Sequence, residues 1–251
     1  MNTPIEGRDS AQAIGSDEAI YNARYFDDEL HRLHWFTNNA RKRERRWRDV
    51  LRMLQPAATD CVLEIGCAAG EHTLKLAPLC REVVGIDLAP AAVDRARRRA
   101  TQAGLLNVGF TQGDATDLSR WRDDKFDKAA AIDFVEHVDD EALRLVLGEI
   151  RRVLKPGGRL AIFTPCATHY VEWLKAHNVV LRQLPGHIAV RSPNAYSPLL
   201  HAAGLVLGST WYSPSTYPIV GRLDQALARL PVLGTWFRFR ICIVAIKPAA
   251  A

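Results

Sequence analysis

Two stretches of the chain combine small residues and a carboxylate at a spacing that could hold a nucleoside. Residues 62–70 read Val-Leu-Glu-Ile-Gly-Cys-Ala-Ala-Gly, and residues 83–87 read Val-Val-Gly-Ile-Asp. Both stretches begin with residues that predict apolar strands, and the first continues as a turn of small residues that precedes a predicted helix. Such a turn lets backbone N–H groups approach a ligand, while a carboxylate at the next strand end accepts hydrogen bonds from ribose hydroxyls. We therefore expect Asp87 to bind a ribose rather than only to cap the following helix.

The spacing of the small residues separates two cofactor classes. A dinucleotide fingerprint would place its third glycine at position 71, where the chain has Glu71. The small residues Gly66, Ala68 and Gly70 alternate instead, with Glu64 in front of them. This run resembles motif I of the class I S-adenosylmethionine-dependent methyltransferases, usually Asp/Glu-x-Gly-x-Gly-x-Gly. Ala68 departs from the motif, and a positive φ would be unfavourable for it.

Further segments follow in the order of the same family. Asp114, within Gln-Gly-Asp-Ala at 112–115, resembles the acidic residue that faces the adenine edge. Residues 132–138, Ile-Asp-Phe-Val-Glu-His-Val, resemble the segment after the fourth strand in the ubiquinone-biosynthesis-like (type 11) subgroup. Residues 152–160 match the usual lead into the fifth strand. The resemblance covers about residues 45–165 and continues more loosely through 187–204.

This resemblance implies S-adenosyl-L-methionine as the cofactor and methyl transfer as the activity. It also implies a seven-stranded sheet whose last strand is antiparallel. The residues that it implies for cofactor binding are Glu64, Gly66, Cys67, Ala68, Gly70, Asp87, Leu88, Asp114, Ala115, Asp133 and Phe134.

Three histidines are candidates for a catalytic base. A hydroxyl nucleophile must lose its proton, and a histidine with a near-neutral pKa suits that task. His137 follows the fourth strand, nearest the expected methyl group. His169 and His187 lie within residues 165–192, where the family usually builds its acceptor site. For each histidine, a structural hydrogen bond or a surface position remains the alternative interpretation.

Some of the same residues could instead hold a divalent cation. Asp133, Glu136 and His137 have the spacing carboxylate-x-x-Glu-His, and His169 could supply a further ligand. In some ubiquinone-type and RNA 3′-end methyltransferases, similar residues bind a cation beside the acceptor. Carboxylates with one imidazole suit Mg²⁺, Mn²⁺ or Zn²⁺. The same spacing is common in relatives without a metal, so we assign no metal from the sequence.

Alternating strands and helices from residue 61 onwards predict βαβ units and a parallel sheet. The predicted strands are 61–66, 82–87, 107–111, 127–132, 159–164, 205–212 and 239–246. The predicted helices are 17–56, 71–80, 90–103, 140–153, 168–182, 193–203 and 221–230. The fold class is α/β: a doubly wound, Rossmann-like, seven-stranded and mostly parallel sheet with an N-terminal helical segment and a helical lid insertion.

The chain of 251 residues, 48% hydrophobic and 24% charged, suits one such domain. We expect a flexible segment at 1–16 and one domain over 17–251. Its parts are N-terminal helices (17–56), a cofactor-binding core (61–164), a lid (165–192) and C-terminal strands with a cover (193–251). No apolar stretch is long enough to span a membrane, and the N-terminus does not resemble a signal peptide. Five scattered cysteines without metal spacing favour a reducing, cytoplasmic location.

Two surfaces could contact a substrate, a membrane or a macromolecule, and the sequence allows more than one interpretation of each. The basic run Arg41–Arg48 is either the solvated face of a helix or a surface for an anionic substrate, a lipid headgroup or nucleic acid. The apolar residues of 223–239 either cover the sheet or form the rim of an apolar acceptor pocket or a membrane contact. The favoured acceptor is a small molecule, with an apolar or lipid-linked compound and peripheral membrane contact as options and no nucleic acid expected.

The favoured function is methyl transfer to a hydroxyl oxygen. Three alternatives remain open: an RNA or protein methyltransferase that uses the basic helix, a non-catalytic S-adenosylmethionine-binding domain, and a nicotinamide oxidoreductase. Glu71 argues against the last of these.

Overall fold

A seven-stranded sheet lies at the centre of the fold. The computed structural model describes residues 40–179, 187–215 and 220–249, so the predictions for residues 1–39 lie outside the described residues. The strands are β1 (Cys61–Ile65), β2 (Glu82–Asp87), β3 (Val108–Gln112), β4 (Phe126–Ile132), β5 (Leu154–Pro165), β6 (Val206–Ser213) and β7 (Arg240–Ile246). Their order is β3-β2-β1-β4-β5-β7-β6. Strand β7 runs antiparallel to both of its neighbours, β5 and β6, and the other pairs are parallel. The predicted α/β fold is confirmed.

Helices pack on both faces of this sheet. They are α1 (Ala40–Leu54), α2 (Glu71–Leu76), α3 (Pro90–Gln102), α4 (Asp140–Val153), α5 (Tyr170–Ala176), α6 (Pro193–Ala202) and α7 (Val220–Leu227). Short 3₁₀ helices lie at Ala77–Leu79, Val135–His137 and Leu233–Phe237. Successive residues of a strand point to opposite faces. Accordingly, Leu63 packs in one core cluster with residues of α4 and α6, whereas Val62 packs in another with residues of α1.

Helix α1 is fixed to the sheet by its C-terminal half. Val50, Met53 and Leu54 are completely buried, and burial of each such side chain stabilises the fold by about 1.5–3 kcal/mol. Asp49 is also buried, and it accepts a hydrogen bond of 2.5 Å from the Ser213 hydroxyl at the end of β6. These contacts leave the N-terminal, basic half of α1 at the carboxyl edge of the sheet, where Arg46 pairs with the residue that follows β4.

Three predicted boundaries differ from the observed ones by more than three residues. Strand β5 begins at Leu154 instead of 159, because Leu154 pairs with Phe126 before a shift in register. Helix α2 ends at Leu76 and continues as a 3₁₀ turn, because Pro78 has no N–H to donate to a helical hydrogen bond. The predicted helix 168–182 ends at Ala176, where Asn178 adopts a left-handed conformation (φ 54°). Residues 180–182 lie outside the described residues.

The C-terminal cover is less buried than the sequence suggests. Its apolar side chains with large exposure are Leu223, Leu230, Val232, Leu233 and Trp236. Asp224 is instead buried, next to His169. The expectation that these apolar residues pack on the sheet is therefore wrong for most of them. None of the helices in the described ranges has the length and apolar character needed to cross a membrane.

Candidate functional site

The turn after β1 has the backbone conformation that its sequence requires. Gly66, Ala68 and Gly70 all have positive φ values, of 66°, 45° and 74°. A Cβ on Gly66 would lie 2.6 Å from Phe134, and one on Gly70 would lie 2.8 Å from Phe110, so both positions also need glycine for space. Ala68 adopts its left-handed conformation at a cost of about 1 kcal/mol. The turn therefore keeps the shape of a three-glycine motif although its middle residue is alanine.

Asp87 holds this turn from the end of β2. Its Oδ2 accepts a hydrogen bond of 2.8 Å from the Ala68 N–H, and its Oδ1 accepts one of 2.9 Å from the Ala89 N–H. Burial raises the pKa of Asp87, while these two N–H groups act in the opposite direction. Each carboxylate oxygen retains acceptor capacity for a further hydroxyl. Leu88, which follows, exposes 36% of its surface and offers an apolar face beside the carboxylate.

The other residues expected at the cofactor occupy the same edge but differ in what they expose. The Cys67 side chain is buried toward Gly85, so its backbone is the part that faces the turn. Asp114 accepts a hydrogen bond of 2.8 Å from the Thr116 N–H, and Ala115 belongs to the core.

Glu64 is almost completely buried at the start of this turn. It accepts a short hydrogen bond from Thr73 and lies 3.4 Å from Nδ1 of His72, both in α2. Glu64 therefore joins β1 to α2 in the structure, and its expected contact with a cofactor stays a prediction.

Asp133, directly after β4, is paired with two arginines. Its Oδ1 lies 2.6 Å from Arg240 and its Oδ2 lies 3.0 Å from Arg46. Burial alone would raise the pKa of Asp133, but Arg46, Arg240 and Lys42 hold it well below its ordinary value. Asp133 is consequently an ionised carboxylate whose two oxygens are already used. Its φ of 50° turns the chain so that Phe134 packs against Gly66.

Glu136 is a completely buried carboxyl group with one satisfied oxygen. Its Oε2 accepts a hydrogen bond of 2.9 Å from Thr164, whereas Oε1 has no hydrogen-bond partner among the described residues and lies 3.8 Å from Arg240. Burial, followed by the negative charge of Asp133, raises the pKa of Glu136 to about 8. The group is therefore largely protonated at neutral pH.

The structure brings His137 and His187 together although 50 residues separate them (187 − 137). Their ring centroids are 4.9 Å apart and the rings are nearly perpendicular, at 85°. Burial and the neighbouring His137 lower the pKa of His187 to about 3, so His187 is neutral at physiological pH. The two rings form one imidazole pair at the end of β4.

Arg191 holds the two segments of this pair in contact. Its buried guanidinium donates hydrogen bonds to the carbonyl oxygens of Val135 (2.5 Å), Val138 (2.7 Å) and Ala189 (3.1 Å). It also forms an ion pair of 2.8 Å with Asp140. The Ala189 N–H donates in turn to the backbone carbonyl of the residue before His137, at 3.0 Å.

We expect Arg191→Met to lower the free energy of unfolding by about 2–4 kcal/mol, because three carbonyl groups lose a charged donor inside the protein. Chemical denaturation measures this change. Arg144→Met, on the exposed face of α4, is the matched control and is expected to change stability by no more than about 0.5 kcal/mol. A loss below about 1 kcal/mol for Arg191→Met would show that Arg191 does not hold the two segments together.

His169 occupies a different environment from the imidazole pair. Its Nδ1 accepts a hydrogen bond of 3.2 Å from the Val171 N–H and caps α5, and its Nε2 lies 3.6 Å from buried Asp224. His169 is itself buried, and that burial lowers its pKa to about 4. Of the three candidate bases, two are brought together and His169 takes a structural position.

The carboxylate and imidazole groups able to hold a cation also differ from the expected set. One ligand atom each of Glu136, His137 and His187 lies within 4.8 Å of the others. His187 thus stands where Asp133 was expected, because both oxygens of Asp133 are paired with arginines. A carboxylate with two imidazoles suits Zn²⁺ or Mn²⁺.

Two residues at this site were missed by sequence reasoning. Arg240 is the first residue of the otherwise apolar strand β7, and a charged residue at the start of such a run is a signal that could have identified it. Arg191 lies two residues before the first residue of α6 and carries no comparable signal.

Comparisons with known proteins agree with this geometry. A family of sequences described as "Methyltransferase domain" matches residues 62–158. The chain is 33% identical over 136 residues to Nodulation protein S of Rhizobium tropici (54% of this chain, 56% of the relative). It is 33% identical over 184 residues to 27-O-demethylrifamycin SV methyltransferase of Amycolatopsis mediterranei (71% and 66%). The chain spans 45–66% of the length of four curated relatives that it matches, these two included.

Solved structures show the same fold. The crystal structure of YcgJ from Bacillus subtilis superimposes with a TM-score of 0.64 at 22% identity, covering 82% of this chain and all of that one. Together with the strand order and the turn after β1, these findings define a class of protein. The chain belongs to the class I S-adenosylmethionine-dependent methyltransferases. Within that class it is related to the ubiquinone-type O-methyltransferases and to YcgJ.

S-adenosyl-L-methionine is the cofactor of this class, and the residues present fit it. Asp87 retains acceptor capacity for ribose hydroxyls, and the exposed Leu88 offers an apolar surface to an adenine ring. The left-handed turn at Gly66–Gly70 leaves its backbone close to that edge without a bulky side chain. These features match the groups that the cofactor carries.

Proposed function

We propose that the protein transfers the methyl group of S-adenosylmethionine to a hydroxyl oxygen of a small-molecule acceptor. The observation that carries the proposal is the pairing of His137 with His187 at the carboxyl end of β4. The cofactor supplies a methyl group on a positively charged sulfur, which is already activated for displacement. The protein therefore has mainly to align the acceptor and remove its proton.

The residues at the end of β4 have separate roles in this proposal. His137 removes the proton from the acceptor hydroxyl. His187, which stays neutral, packs against the edge of that ring and limits its orientation. Glu136 is largely protonated at neutral pH, so it does not orient the imidazole pair as an ionised carboxylate would. Asp133, paired with both arginines, fixes the chain between β4 and the histidine.

A relative that matches this chain over 184 residues supports oxygen as the acceptor atom. The name of 27-O-demethylrifamycin SV methyltransferase describes methyl transfer to a small molecule that lacks a methyl group on an oxygen. That match covers 71% of this chain and extends beyond the cofactor-binding residues.

Cofactor binding is tested by Asp87→Ala. Two charge-assisted hydrogen bonds to ribose hydroxyls would be lost, and each contributes about 1.5–3 kcal/mol, so we expect S-adenosylhomocysteine to bind at least about 100-fold more weakly. Isothermal titration calorimetry measures the affinity. Asp94→Ala removes an exposed carboxylate of α3 and is expected to leave the affinity unchanged within about twofold.

An unchanged affinity in Asp87→Ala would remove Asp87 from the site. Binding of NAD in place of S-adenosylhomocysteine by the unsubstituted protein would instead favour the oxidoreductase alternative.

Methyl transfer is tested by release of S-adenosylhomocysteine with a panel of phenols, catechols and alcohols, beside the matching amines. We expect turnover on hydroxyl compounds and none on the amines. Turnover on the amines alone, or binding of cofactor without turnover on any compound, would contradict the proposal. Loss of turnover after chelation, restored by Zn²⁺ or Mn²⁺, would assign Glu136, His137 and His187 to a metal instead of a base.

A further inference from the structure

A small, partly open cleft lies at the carboxyl edge of the sheet, on the side of β5, β7 and β6. It is lined by Lys42, Arg45, Arg46, Phe163, Ser213, Pro214, Phe239 and Arg240. Half of these residues are cationic. Three of the cations come from the N-terminal half of α1, and the fourth begins β7, where it pairs with Pro165 of β5 and Ser213 of β6.

The cleft lies across β4 from the cofactor turn. In the strand order, β7 is three strands away from β1, which corresponds to about 14 Å at the usual spacing between strands. Arg46 and Arg240 of the cleft contact Asp133 at the end of β4, where the two regions meet. The cleft therefore adjoins the position expected for the methyl group from the side opposite the nucleoside.

Among the described residues, the cleft lining carries four cationic side chains and no carboxylate. Two of these cations, Arg46 and Arg240, share the adjoining Asp133, and Arg240 also lies 3.8 Å from Glu136. Burial, then the charges of Arg240 and Arg46, lowers the pKa of Lys42 to about 8. Nε of Arg46 is buried without a hydrogen-bond partner among the described residues. A bound anion would relieve both the repulsion and the unpaired donor.

Aromatic rings hold the two arginines in place. The guanidinium of Arg240 lies 5.7 Å from the ring centre of Phe163 and 5.5 Å from that of Phe239, and Arg46 lies 6.0 Å from Phe163. Arginines that are stacked on rings and partly withdrawn from water bind anions more strongly than freely solvated ones. The rings also give the cleft an apolar wall next to its charged one.

We propose that this cleft binds an anionic oxygen group of the acceptor, a phosphate or a carboxylate, and so orients the acceptor hydroxyl toward the methyl group. The inference rests on the proposed function, because it assigns the cleft to the acceptor of that reaction. The same chemistry could recognise the carboxylate of the cofactor's own methionine part. The position across β4 from the cofactor turn favours the acceptor, and the test separates the two sources.

The test uses phenyl phosphate as the probe, titrated by calorimetry into the unsubstituted protein with and without saturating S-adenosylhomocysteine. We expect the double variant Lys42→Gln/Arg45→Gln to bind the probe at least tenfold more weakly than the unsubstituted protein. Its affinity for S-adenosylhomocysteine is expected to change by less than threefold. Arg45→Gln alone is expected to weaken probe binding severalfold, and it provides a second test in case the double variant does not fold. Thermal melting shows whether each variant is folded.

The matched control is Arg41→Gln/Arg48→Gln, which removes the same charge from exposed positions of α1. We expect it to bind the probe within threefold of the unsubstituted protein. A parallel loss of S-adenosylhomocysteine affinity in Lys42→Gln/Arg45→Gln would assign the cleft to the cofactor carboxylate and overturn the proposal. Equal probe affinity in that variant, or no saturable binding to the unsubstituted protein, would also overturn it.

These outcomes can be told apart from failure of the proposed function. If S-adenosylhomocysteine does not bind at all, the proposed function is contradicted. If it binds and phenyl phosphate does not, only the proposed anion site is contradicted.

Discussion

Replacing His137 with alanine is expected to lower kcat by about 10²- to 10⁴-fold, because general base catalysis contributes on that order. His187 is expected not to replace it, since burial and the neighbouring His137 lower the pKa of His187 to about 3 and make it a weak base. The affinity for S-adenosylhomocysteine should change by less than threefold. The measurement is steady-state release of S-adenosylhomocysteine with a hydroxyl acceptor from the panel.

A further observation separates a catalytic role of His137 from a structural one. Added imidazole is expected to restore part of the activity of His137→Ala, because it can take up the proton of the acceptor hydroxyl in place of the missing ring. His201→Ala, at an exposed position of α6, is the matched control and should keep full activity. A His137→Ala variant with unchanged kcat would remove His137 from the mechanism.

Replacing Glu136 with glutamine is expected to make the protein increasingly more stable than the unsubstituted one as the pH rises from about 5 to 8. The folded-state pKa of Glu136 is raised to about 8, above its value in the unfolded chain, so the folded protein binds the extra proton. Stability from this group is therefore present at low pH and is lost as the pH rises toward 8. A shift of this size corresponds to roughly 3–5 kcal/mol across that range. Glutamine is neutral throughout and does not titrate.

The measurement is the difference in free energy of unfolding between Glu136→Gln and the unsubstituted protein at several pH values, with a chelator present. Taking the difference cancels the other titrating groups, such as His169 and His187. Glu149→Gln is the control. Hydrogen bonds from Arg152 lower the pKa of Glu149, so its difference should stay constant between pH 6 and 8. A constant difference for Glu136→Gln as well would show that Glu136 is ionised in the folded protein.

Most of the fold could be predicted from the sequence because its signals are local. The signals are apolar runs at strand spacing and prolines at helix starts, such as Pro90 and Pro193. Each is formed by residues close together in the sequence, and together they predicted the order of strands and helices. The boundaries that differ depend on longer contacts, such as the pairing of Leu154 with Phe126 that extends β5. The exposure of Trp236 and of the neighbouring apolar side chains was also not predicted, because the type of a residue does not show which other residues pack against it.

The sequence by itself determined that the turn after β1 and the carboxylate at the end of β2 lie together, which is the predicted cofactor half of the site. The turn at Gly66–Gly70 and Asp87 belong to adjacent strands, and parallel strands always bring their carboxyl ends to one edge. Only the tertiary structure decided the other half. It placed His187 beside His137 and set His169 apart, and it paired Asp133 with Arg46 and Arg240. Those side chains come from segments far apart in the chain, so their meeting depends on how helices and strands pack and on the balance of buried charge, which residue spacing does not encode.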